Sequence, residues 1–116
     1  THYRLKRAYE PEADDDGFRV YIDGCSRADF ARHIHYDLWD KDIAPSDSLR
    51  EWFHADPAGR WEEFVKRYAA ELAGNPAFGR LRDLLEQKST VTLLYSSHDQ
   101  QHNNAVIVER QLTKVS

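Results

Sequence analysis

Six histidines and a single cysteine are the side chains of this 116-residue sequence with the widest chemistry. His33 and His35 are two apart, which puts both on one face of a strand but about 200° apart on a helix. His98 and His102 are four apart and can share a metal ion if that segment is helical. No H-E-x-x-H motif occurs. Together with Asp99, and with His33 or His35 brought in by the fold, they could form a nitrogen and oxygen site for iron, zinc or copper. A single exposed histidine could instead be an axial haem ligand. The plain alternative is histidines scattered over the surface.

Cys25 follows a predicted strand and precedes a predicted helix, a placement that can favour the thiolate. A nucleophilic cysteine needs a base, and His98 or His102 could serve if their loops meet, with Asp23 beside it. Asp23, Cys25 and His98 are therefore the candidate catalytic set. A phosphatase-type loop is absent, because Arg27 and Arg32 are two and seven positions from Cys25, not six. The structural alternative is a small buried thiol.

These residues need elements to carry them. Residues 2–8 alternate imperfectly and predict a first strand. Phe18, Val20 and Ile22 alternate with Arg19, Tyr21 and Asp23 and predict a second, which Gly24 breaks. Asp14-Asp15-Asp16 reads as a solvated turn, since it lacks the alternating oxygens and distal Glu of a calcium loop. A short helix is expected within Ser26–Trp39. Ser48 and Glu51 have the spacing of a capping box. Trp61, Phe64, Val65, Tyr68 and Leu72 then mark the strongest amphipathic helix, about residues 58–73. Gly74 sits at its cap, Asn75-Pro76 opens another helix running to about Gln87, and Val91–Tyr95 reads as a strand buried on both faces. Ala105, Val108 and Leu112 are spaced for a last helix, although Val106-Ile107-Val108 would also suit a strand. The sum is one α/β domain: a mostly parallel short sheet of about three or more strands flanked by about five helices.

In such sheets ligands sit beyond the carboxyl ends of the strands. The loops after the second and third predicted strands therefore gather the ligand-binding candidates: Ser26, Arg27, Ser96, Ser97, Asn103 and Asn104. The helix after the second loop points its positive end there, which suits an anionic or polar small molecule.

Composition narrows the classes. A net charge of −4 disfavours a strongly basic nucleic-acid binder, although Arg4, Lys6, Arg7, Arg27 and Arg32 with Tyr3, Tyr9 and Tyr21 leave a local surface conceivable. No apolar run approaches the ~18 to 20 residues of a membrane span. One cysteine allows no internal disulfide. An opening Thr1 without an apolar leader is read as a cytoplasmic protein that has lost its initiator Met.

Several segments resemble a known family. Leu5-Lys6-Arg7-Ala8-Tyr9, Asp15-Asp16-Gly17-Phe18-Arg19-Val20 and Leu38-Trp39-x-Lys41-Asp42-Ile43-Ala44-Pro45-Ser46 are similar to the short, YeaO-like branch of domain of unknown function family 488. So are Leu49-Arg50-x-Trp52-Phe53, Asp56-Pro57, Trp61-x-x-Phe64, Arg67-Tyr68-x-x-Glu71-Leu72, Val91–Tyr95 and His102-Asn103-x-Ala105. The resemblance implies a small bacterial cytoplasmic α/β domain and supplies no reaction. One segment departs from it. The family's D-R-L-W-P-R-G loop is replaced here by Asp23-Gly24-Cys25-Ser26-Arg27-Ala28-Asp29. That change beside the expected pocket suggests a specialised member, a metal- or haem-dependent small-molecule enzyme. The alternative is a non-catalytic binding module for a small anionic ligand, a protein partner or nucleic acid.

Overall fold

A computed structural model describes residues 1–22, 35–96 and 101–114. Among the described residues four parallel strands form one sheet: β1 (His2–Arg7), β2 (Phe18–Tyr21), β3 (Leu38–Trp39) and β4 (Thr90–Tyr95), in the order β1-β4-β2-β3. The described helices are α1 (Asp47–His54), α2 (Pro57–Ala73), α3 (Pro76–Leu85) and α4 (Asn104–Lys114). Two 3-10 turns, Asp14–Asp16 and Lys41–Ile43, precede β2 and α1. The architecture is thus the expected parallel α/β domain, with four α-helices among the described residues where about five were expected.

The register sorts side chains between two faces. Tyr3, Val91 and Phe18 share one row, and Leu5, Leu93, Val20 and Leu38 the next. This face meets all four helices in the main core, where Phe53 and Phe64 stack with ring centres 4.0 Å apart. On the opposite face Arg4, Thr92 and Arg19 form one row, and Lys6, Leu94, Tyr21 and Trp39 another. There Ala8, Tyr21 and Leu94 make a separate small cluster with Tyr36 and Trp39. The two long connections explain the division. The β1–β2 crossover passes over the second face, where the Thr92 hydroxyl donates to the Asp16 carbonyl at 2.7 Å. The β3–β4 connection crosses the sheet in the reverse direction, so a right-handed crossover must use the other face, and it carries α1 to α3 there.

Strand β4 lies between β1 and β2 and is buried from Val91 to Tyr95, as its unbroken apolar run required. Helix α2 follows its sequence periodicity: Phe64, Tyr68 and Leu72 are buried, and Trp61 and Val65 are half-buried against the core. Asp56 caps its start by accepting the Gly59 N–H at 3.2 Å, and Gly74 ends it. Residues 106–108 are helical within α4, because burying Ala105, Ile107, Val108 and Leu112 together needs the helical period.

Most of Ser26–Trp39, where a short helix is expected, lies outside the described residues; its described end forms β3, whose flanking amides of Asp37 and Asp40 donate to Arg19 and Tyr21 carbonyls at 2.8 and 2.9 Å. Two local expectations are corrected. The cap of α1 is Ser46, not Ser48. Its hydroxyl accepts the Leu49 N–H at 3.4 Å, while its own N–H and O–H donate to the Glu71 carboxylate at 2.9 and 2.7 Å. Helix α3 ends at Leu85, two residues short of Gln87.

The segment leading into α1 is held from α2 and α3. The Tyr68 hydroxyl donates to the Ile43 carbonyl at 2.6 Å, and the Asn75 amide donates to the Asp42 carbonyl at 2.8 Å. Ile43 itself is fully buried. Tyr68→Phe would keep the packing but strand that buried carbonyl, so a loss of about 1–3 kcal/mol is expected in urea unfolding. An unchanged midpoint would mean the hydroxyl contributes nothing.

Gly17 turns the chain into β2 with φ of 69°, and any Cβ there would collide with the Thr90 carbonyl oxygen. Gly79 within α3 faces open space. Gly17→Ala should cost about 1–3 kcal/mol, whereas Gly79→Ala should stabilise by about 0.5–1 kcal/mol. Paired denaturant titrations check both signs, and equal midpoints for the two variants would refute the account.

Candidate functional site

At the carboxyl end of β4 the chain turns through Ser96, which is half-buried, and re-enters the described residues at 101. Asn103 and Asn104 are buried there, at the start of α4. The Asn103 side-chain oxygen accepts the Val106 N–H at 3.1 Å, so Asn103 caps the helix. His102, half-buried, sets its ring edge-on to Trp61 of α2 with centres 5.0 Å apart. Residues 101–103 form a bend and not a helix, so the four-residue spacing of His98 and His102 is not a helical one at that end. Asp23, Cys25, Ser26, Arg27, His33, Ser97, His98 and Asp99 lie outside the described residues.

A carboxylate that the sequence reading passed over also lies at this end of the sheet. Asp40 follows β3, and burial pushes its carboxyl above the usual range. A hydrogen bond from the Asp42 backbone and the charge of Arg80 oppose that rise, while the charge of Asp42 adds to it.

His35 is elsewhere. It precedes β3 on the amino-terminal side of the strands, exposed, with Nδ1 3.0 Å from Glu12 Oε2 and Nε2 3.6 Å from Asp37 Oδ1. His102 precedes α4 beyond the carboxyl end of β4. The fold therefore keeps these two histidines at opposite ends of the parallel strands. Among the described residues no group of three or more His, Cys, Asp or Glu side chains could hold a metal ion.

The densest charged cluster is on the second face of the sheet. Asp14 and Asp15 are exposed as a solvated turn requires, but Asp16 is buried at 2% exposure. Its carboxylate pairs with Arg19, which is equally buried, and takes both oxygens to the Lys6 ammonium at 3.2 Å. It also accepts the Ala13 N–H at 3.1 Å. Arg19 in turn donates from Nε to the His35 carbonyl at 2.8 Å, and its own N–H reaches the Asp37 carboxylate at 2.8 Å. The charge run in the sequence hid this role, because only the partners in β1 and β2 distinguish Asp16 from its neighbours. Arg4 pairs with Asp15 at 2.9 Å. Two of the cations that suggested a nucleic-acid surface are thus committed to the acidic turn.

Burial alone would raise the Asp16 carboxyl, but the Ala13 amide, the hydrogen bonds from Lys6 and Arg19 and the charge of Lys6 outweigh it and hold it below the usual range. A carboxyl lowered in the folded state stabilises the protein above the unfolded value of about 3.9. That contribution is lost as the pH falls through the lowered folded value. Asp16→Asn leaves the buried guanidinium without its counter-charge and should cost about 3–5 kcal/mol at neutral pH. The gap between wild type and variant should close as the pH falls well below 4. A gap that stays constant down to strong acid would show that the charge of Asp16 is not what stabilises the fold.

Comparison with known proteins follows the same scaffold. A family model described as the inactive DUF488-N3 subclade matches residues 2–115. The uncharacterized protein YeaO of Escherichia coli K12 is 34% identical over 110 residues, spanning 90% of this chain and 91% of that one. The uncharacterized proteins Rv3073c of Mycobacterium tuberculosis H37Rv and Mb3100c of Mycobacterium bovis are each 35% identical over 113 residues, 94% of this chain and 92% of theirs. No solved structure matches the chain. With a match that runs from the first strand to the end of the last helix, the chain belongs to the DUF488 family, in its YeaO-like branch.

Proposed function

We propose that the protein is a non-catalytic binding module that takes a small anionic ligand at the carboxyl end of the sheet, against the start of α4. The observation that carries this reading is the placement of that helix. Its first turn begins beyond the end of β4, with the buried amides of Asn103 and Asn104 at its mouth. Asn103 satisfies one of the orphan N–H groups, that of Val106, and the positive end of the helix dipole remains there for an anion. The polar side chains of the family-like segments point the same way. Asp16, Ser46, Tyr68, Glu71 and Asn103 each hold backbone or a neighbouring segment in place. A scaffold whose motifs are spent on its own architecture suits binding more than turnover, in keeping with the inactive subclade whose model it matches. The relatives in Escherichia and Mycobacterium support a bacterial protein, and a cytoplasmic location is part of the same proposal. No helix among the described residues is long and apolar enough to cross a membrane.

The reading is tested by NMR titration of untagged protein with inorganic phosphate, and in parallel with zinc, ferrous iron and haem. The expected result is a saturable phosphate response centred on the amides of Asn104 and Ala105 at the start of α4 and weakened by salt. Asn103→Ala should perturb that response and cost about 0.5–2 kcal/mol of stability through the lost cap. A stoichiometric metal complex or a Soret band, with no phosphate response, would overturn the proposal in favour of a metal- or haem-dependent enzyme.

A further inference from the structure

We draw no further inference here: the strongest candidate, the surface groove between α1 and α2 floored by Leu49, Trp52 and Ala70, has its helix start already occupied by the Glu71 carboxylate and its Arg67 guanidinium by Glu63, and nothing in the structure shows what covers it.

Discussion

A guanidinium buried in the middle of a sheet is an expensive object, and the fold is arranged around the one at Arg19. Removing such a charge from water costs several kcal/mol unless counter-charge and hydrogen bonds replace the solvent. Here the replacement comes from two directions, the Asp16 carboxylate and the His35 carbonyl, and the Lys6 ammonium of β1 shares that same carboxylate. The cluster joins the β1–β2 crossover, two strands and the approach to β3. A pair of this kind need not add net stability over an apolar equivalent, but it tolerates few alternative arrangements. Shifting β2 by one residue would turn Arg19 to the helical face and bring it among Leu93, Leu5 and the core. The charge therefore acts on register more surely than on total stability.

The second face of the sheet depends on this arrangement. Because Arg19 and Asp16 take up its amino-terminal half, the apolar cluster of Ala8, Tyr21 and Leu94 is confined to the carboxyl-terminal half, beside Tyr36 and Trp39. Tyr21 and Trp39 stack at 6.0 Å, so the two-residue β3 is held by ring packing as well as by its few ladder bonds. On the helical face, the corresponding device is the clasp at Ile43 and Ser46, where Tyr68 and Glu71 one turn apart on α2 reach back to the chain before α1. Segments that look like functional motifs in the sequence are, in these cases, two halves of one structural contact.

This explains which features could be read in advance. Helix α2 was legible because five apolar residues at helical spacing have one meaning, and β4 because a short unbroken apolar run between polar turns suits a central strand. The role of Asp16 was not, because a run of three aspartates carries the same local signal whether or not one of them is buried. The information lies in Lys6 and Arg19, across two strands. Ser46 was missed as the cap for a related reason: Ser48-x-x-Glu51 has the local spacing of a capping box, whereas Ser46 has Leu49 at the third position and takes its carboxylate from Glu71, twenty-five residues downstream. Of the candidate site, the start of α4 and its asparagines were placed correctly beyond the end of β4 by the strand–loop–helix rule. The histidine pairing was not settled by spacing, since spacing alone cannot say which end of a strand a residue occupies.

The division of labour between scaffold and loops then bears on specialisation. Charged and polar groups that hold the fold, such as Asp16, Glu71 and Tyr68, cannot be released for ligand chemistry without loss of structure, whereas residues in loops beyond strand ends carry no such obligation. In this chain Asp16 with Lys6 and Arg19, and Ser46 with Glu71, are committed in this way. A substitution at the carboxyl edge that leaves those contacts intact would change what the edge presents without altering the sheet. At that edge the start of α4 is held in place by the buried packing of Ile107, Val108 and Leu112, which are themselves part of the scaffold and not free to change.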